Sequence, residues 1–177
     1  GSQPDFLLNI GLTGSITLPC FQDFPQMMGM DPLQIPKKID LLDIPYTECG
    51  YLSEPLAEDM TIMGAPQLEV YYQCSQPFTQ LDSFLYEVAP DGTENLISRG
   101  WYEGYDPELW STNDTAAKPI EMYTCYHRFQ AGSRIKLEVA TADLITIWPV
   151  LGLSFILLHH NEGMPSRIVL PIVPNTY

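Results

Sequence analysis

Basic residues are scarce: eight Lys and Arg stand against 22 Asp and Glu, leaving a net charge of −14. A surface so charged repels phosphate backbones and anionic bilayers, which argues against nucleic acid and membranes as partners. The acids are scattered singly, so they read as a solvated surface and not as a binding tail. Long apolar runs are missing too. The closest, Leu144 to Leu158, is interrupted by Trp148-Pro149 and Gly152 and is shorter than the roughly 20 residues that a membrane-spanning helix needs. No charged-then-apolar signal segment opens the chain, and Gly1-Ser2 reads as vector-derived, so that lack carries no weight on targeting. Cys20, Cys49, Cys74 and Cys125 form no C-x-x-C pair, which removes zinc-ribbon and dithiol redox motifs. Free thiols are the expectation, and a bridge between Cys74 and Cys125, both on predicted strands, stays open. A reduced, cytoplasmic setting is favoured over a secreted one.

Helical periodicity is also absent: no segment longer than about ten residues repeats its apolar positions at a 3.6 spacing. Alternation is present instead. Leu68, Val70, Tyr72 and Cys74 fall on one side of a strand, with Gln67, Glu69, Tyr71 and Gln73 on the other, as a half-buried antiparallel strand requires. Phe84, Tyr86 and Val88 repeat the pattern. Pro90-Asp91-Gly92 then supplies a turn, through a fixed φ, an aspartate that bonds back to the backbone and a glycine that accepts positive φ. Leu96 to Trp101 returns as the second arm of that hairpin. Further strands are expected at 120–127, at 134–141 with Ile135, Leu137 and Val139 inward, at 153–159 and at 167–173, with Gln130-Ala131-Gly132-Ser133 as a turn. About eight such strands between turns indicate an all-β, two-sheet β-sandwich, of jelly-roll type. Prolines at 19, 25, 32 and 36 and the Met27-Met28-Gly29-Met30 run leave residues 1–45 as an irregular N-terminal segment: the end of a preceding domain, a linker that wraps the sandwich, or an added strand. Residues 46–177 form the sandwich domain.

Three runs carry a resemblance to a known family. They are Tyr51-Leu52-Ser53-Glu54-Pro55-Leu56-Ala57-Glu58-Asp59-Met60-Thr61-Ile62-Met63-Gly64, with the strands and the Val88-Ala89-Pro90-Asp91-Gly92-Thr93 turn that follow; Phe129-Gln130-Ala131-Gly132-Ser133-Arg134-Ile135-Lys136-Leu137-Glu138-Val139; and His159 to Pro171. Together they resemble the C-terminal domain of the Xaa-Pro dipeptidyl-peptidase, cocaine esterase and acylase family of serine hydrolases. The resemblance implies a galactose-binding-like jelly roll that holds none of the catalytic triad. It also implies an α/β-hydrolase domain of the same parent chain as partner.

An α/β-hydrolase nucleophile sits in a G-x-S-x-G elbow; Gly14-Ser15, Gly132-Ser133 and Pro165-Ser166 all fail that spacing. The chain alone therefore has no catalytic residue to assign and is expected to be inactive. His127, His159 and His160 end predicted strands and are read as satisfied by backbone groups, not as bases or metal ligands. Asn161 stands where the family often has aspartate, which weakens a charge-pair role there. Glu58-Asp59 and Asp82 are expected to act in capping or turns; without a D-x-D-x-D-like loop no metal is assigned, and no cofactor either. The unusual feature is the aromatic group Trp101, Tyr102, Tyr105 and Trp110, expected in a loop with Glu103, Asp106 and Glu108, where it offers interface or ligand contacts.

The functional expectation is an accessory β-sandwich that stabilises a serine hydrolase domain and helps shape its cleft, in a parent acting on peptide, ester or amide bonds. The alternatives are a carbohydrate-binding module and a stand-alone interaction domain; a homo-oligomer is left open.

Overall fold

A computed structural model describes residues 3–9, 48–107, 115–141 and 153–174. Thirteen strands lie within them: β1 (Asp5–Asn9), β2 (Glu48–Leu52), β3 (Met60–Gly64), β4 (Gln67–Cys74), β5 (Phe78–Val88), β6 (Glu94–Tyr105), β7 (Ala116–Glu121), β8 (Cys125–Phe129), β9 (Arg134–Ala140), β10 (Ser154–Asn161), β11 (Met164–Pro165), β12 (Arg167–Val169) and β13 (Ile172–Val173). All pairings are antiparallel. One sheet runs β1-β10-β4-β12, with β7 also on β4 and β11 on β10; a second runs β2-β9-β5-β6, and a short third β13-β3-β8.

The alternation of β4 is realised as read: Leu68, Val70, Tyr72 and Cys74 are buried while their neighbours are half-exposed. They meet Leu7, Ile156 and Leu158 of their own sheet and Leu81, Leu85, Leu137 and Val139 of the facing one in a single apolar core. Burial of this kind, at about 25 cal/mol per Å2, is what holds two sheets face to face. The fold is an all-β sandwich.

Two details differ from the sequence expectation. β5 is the central strand of its sheet and is buried on both faces from Thr79 to Glu87. Leu81 and Leu85 enter the main core, whereas Phe84 and Tyr86 pack with Ala140 in a separate cluster on the opposite face. Apolar alternation could not assign the faces of a strand covered twice. The strand expected at 120–127 is two, β7 and β8, because the chain leaves β4 after Glu121 and continues beside β3. At that crossing Met122 bridges to Gly100 of β6, and the Tyr123 N–H donates to the Arg99 carbonyl at 2.8 Å. Gly100 is required there: a Cβ would lie 2.4 Å from the Glu121 carbonyl oxygen.

Of the readings left open for residues 1–45, the added strand holds for Asp5–Asn9, which pairs with β10 at the sheet edge. The expected turn at Pro90-Asp91-Gly92 forms, with Asp91 Oδ1 accepting the Thr93 N–H at 2.9 Å and Gly92 at φ 87°. Cys49, Cys74 and Cys125 are free thiols, so no bridge joins Cys74 to Cys125; Cys20 lies outside the described residues. Among the described residues no helix is long and apolar enough to cross a membrane.

Candidate functional site

The aromatic group is not the loop cluster expected from sequence. β6 continues to Tyr105, so Trp101, Tyr102 and Tyr105 lie on a strand and project alternately. Trp101 meets Tyr123 edge-on, with ring centroids 5.8 Å apart. Tyr102 turns to the core, 6.2 Å from Tyr72. Tyr105 is 61% exposed and lies 4.7 Å from Phe78, itself 53% exposed. Trp110 lies outside the described residues. Only the Phe78–Tyr105 pair is an open aromatic surface among these described rings.

Beside it is a group the sequence reading missed. Asp106 Oδ2 accepts the hydroxyls of Tyr72 (2.9 Å) and Tyr102 (2.7 Å), and Oδ1 accepts Lys118 Nζ at 2.8 Å. Burial works to raise the Asp106 carboxyl, but the hydrogen bonds from Lys118 and the two phenols outweigh it and hold the group below the ordinary carboxylate value. Burial and hydrogen bonding push both phenols up. The sequence signal was present: tyrosines at inward positions of β4 and β6 need acceptors for their hydroxyls. Which acidic residue would serve both depended on pairing that the sequence does not state.

The histidines are held by side chains, not by the backbone groups expected. His127 Nε2 lies 2.9 Å from Glu87 Oε2, and Glu87 Oε1 also accepts the Gln130 N–H. Burial raises the Glu87 carboxyl, yet these bonds and one from Ser133 prevail and leave it low. His159 is buried, 3.2 Å from Gln73 Oε1, and desolvation lowers its pKa. His160 Nε2 pairs with Asp5 Oδ2 at 3.2 Å. The charge partner that Asn161 fails to supply therefore comes from β1, outside the resembling runs; Asn161 instead accepts the N–H groups of Gly163 and Met164.

The acidic candidates divide. Asp59 does work in a turn, accepting the Ala131 N–H at 2.8 Å and Arg128 Nη2 at 2.6 Å. Asp82 neither caps nor turns: it is fully buried in the middle of β5, with Gln80 Nε2 donating to it at 2.9 Å. Among the described residues no group of three or more His, Cys, Asp or Glu could hold a metal ion.

A pocket of about 330 Å3 opens where β2 and β9 diverge from β4, β10 and β12. Its walls are mostly aliphatic, with Tyr51, Ser53, His159, His160, Ser166 and Arg167 as polar residues. Tyr51 donates to Asp5 Oδ2 at 2.7 Å, so one carboxylate gathers the phenol and the His160 imidazole. Burial, then Asp5, pushes the Tyr51 phenol up. Ser166 donates to the His159 carbonyl and accepts the Tyr71 N–H, so backbone groups engage its hydroxyl in the way of a structural serine.

Residues 45–154 match the family model described as the X-Pro dipeptidyl-peptidase C-terminal non-catalytic domain. No curated protein matches the chain. Among solved structures the chain is similar to an alpha-amino acid ester hydrolase (TM-score 0.68, 17% identity), covering 97% of this chain and 33% of that one. It is also similar to an aminopeptidase from a marine sediment archaeon, Thaumarchaeota archaeon (0.67, 14%), covering 98% and 34%. A CocE/NonD family hydrolase from Staphylococcus aureus (0.55, 13%) is covered over 71% of this chain and 30% of that one. At these identities the structural likeness speaks for the fold, and the chain spans about a third of each structure's length. On the match over residues 45–154, the chain belongs to the family of X-Pro dipeptidyl-peptidase C-terminal non-catalytic domains.

Proposed function

We propose that this domain packs on an α/β-hydrolase domain of the same parent chain, stabilises it and helps shape its cleft. The parent would hydrolyse peptide, ester or amide bonds through an acyl-enzyme, with Xaa-Pro dipeptide release as one candidate activity. One observation carries the reading: the fold match takes in 97% of this chain but 33% of an ester hydrolase. The rest of such a structure is where catalysis would reside. The jelly-roll, galactose-binding-like character and the cytoplasmic setting belong to this proposal, the latter supported by three free thiols. So does the division at residue 45, with the qualification that β1 joins the sandwich. Phe78, Tyr105 and Trp101 are proposed to face the catalytic domain, since aromatic side chains are favoured interface anchors.

The test is an antibody to this domain, blotted on extract of the source organism after labelling with a fluorophosphonate. A labelled band well above 20.0 kDa supports the reading. An unlabelled band at that mass refutes it.

The exposed Phe78–Tyr105 pair favours a second reading, a carbohydrate-binding module in which a sugar ring stacks on these aromatics. Glycan-array binding that Tyr105→Ala abolishes would support it, and no binding to any glycan would dismiss it.

A further inference from the structure

The pocket between β2–β9 and β4–β10–β12 has a volume of about 330 Å3, within the range of small-ligand pockets. Leu137, Val139 and Leu158 form its core side, and Ile168 on β12 and Leu170 just beyond it form another wall. Water inside meets mostly hydrocarbon and finds few hydrogen-bond partners, so an apolar body displaces it favourably.

The polar groups limit the chemistry of that body. Arg167 Nε is held by Glu69 at 2.6 Å, and His160 and Tyr51 share Asp5 at 3.2 and 2.7 Å. Arg167 and Glu69 lie within ion-pair distance, and the Asp5 carboxylate is engaged by the Tyr51 hydroxyl and the His160 imidazole. An anion entering would compete with Glu69 for Arg167 and meet the field of a −14 chain; a cation would have to take Glu69 from Arg167 or Asp5 from the Tyr51 and His160 contacts. A neutral molecule disturbs neither pair. The Tyr51 phenol oxygen keeps lone pairs, so it can accept one hydrogen bond from a ligand while donating to Asp5.

We propose that this pocket binds a small uncharged molecule with an apolar ring or branched chain and a single hydroxyl or amide, its apolar body between the sheets and its polar group toward Tyr51. The assignment stands apart from the activity of any parent enzyme.

Cyclohexanol titrated into the 177-residue protein, with Ile, Leu and Val methyls followed by NMR, tests it. Saturable shifts are expected at Ile135, Leu137, Ile168 and Leu170, with Ile97 on β6, outside the lining, unmoved. The pocket-filling I168W should weaken binding about tenfold or more, and L170W serves if I168W does not fold. Cyclohexanecarboxylate and cyclohexylammonium should each bind about tenfold more weakly than the alcohol, or worse. Scattered or unsaturable shifts, unchanged affinity in the folded filling variant, or equal or tighter binding of either ion overturns the proposal. So do nuclear Overhauser contacts showing the pocket filled in the free protein by the chain's own residues or a second copy.

Discussion

Replacing Gly100 with alanine tests the crossing that joins the two main sheets. The new Cβ would meet the Glu121 carbonyl oxygen at 2.4 Å, Met122 Cα at 2.8 Å and the Glu121 carbonyl carbon at 2.9 Å. All three are backbone atoms, so no side chain can swing aside. Relief requires β6 and the 121–123 segment to separate. That strains the Gly100–Met122 bridge, the Tyr123 N–H bond to the Arg99 carbonyl, and the Ser98 hydroxyl bond to the Tyr123 carbonyl. Overpacking contributes about 1–3 kcal/mol and each weakened hydrogen bond about 1 kcal/mol. The loss of unfolded-state freedom returns about 0.4–1 kcal/mol. The net expectation is a destabilisation of about 2–4 kcal/mol. Gly50→Ala is the internal control, since the nearest atom to its Cβ is Lys136 Cε at 3.8 Å, an ordinary contact. Urea denaturation at pH 7, followed by fluorescence, gives both values. If Gly100→Ala falls within about 0.5 kcal/mol of Gly50→Ala, the crossing does not need a glycine and the reasoning fails.

Other outcomes follow from groups described above. Asp106→Asn keeps an acceptor but loses the ion pair to Lys118, and should cost about 1–3 kcal/mol at neutral pH by thermal or urea unfolding; no loss would mean the cluster is decorative. Because the folded Asp106 carboxyl titrates below its ordinary 3.8, its stabilisation is present above that value and disappears as pH falls through the folded one, so the variant should show a shallower acid transition. His159 has the same sign by a different route: its folded pKa lies below 6.5, the unfolded chain binds the proton first, and stability should decline as pH drops below 6.5. His159→Gln should flatten the profile just below pH 6.5, and an unchanged slope would show that protonation there is not linked to folding. Tyr105→Ala should leave the isolated domain within about 0.5 kcal/mol of wild type, as an exposed ring contributes little. In the intact parent, a drop in melting temperature with that variant would place Tyr105 at the domain junction, and none would remove it.

Legibility followed how many neighbours each residue needed. β4 could be read because one face is buried and the other is half-exposed, so its alternation survives in the sequence. The 90–92 turn was legible because proline, aspartate and glycine encode it locally. β5 defeated the same logic: with both faces covered, Phe84 and Leu85 are equally apolar and parity carries no direction. Trp101, Tyr102 and Tyr105 looked like a cluster because they are close in sequence, yet a strand sends adjacent residues to opposite sides. Apart from Tyr102, four positions before Asp106, the partners of the histidines and of Asp106 lie 12 to 155 positions away along the chain, beyond any local pattern.

The edge position of β1 bears on how this protein can be cut. β10 lies between β1 and β4, and its middle reads Phe155-Ile156-Leu157-Leu158. Trimming the chain at the sequence-derived boundary of residue 45 would strip β1 away and bare the β10 edge from Ser154 to Leu158, along with Phe155, whose ring lies 5.6 Å from Phe6. An uncharged, uncovered β-edge of that composition is a template for strand addition. A fragment begun at residue 46 and kept to the C-terminus should therefore self-associate, with β1 in the longer chain guarding that edge.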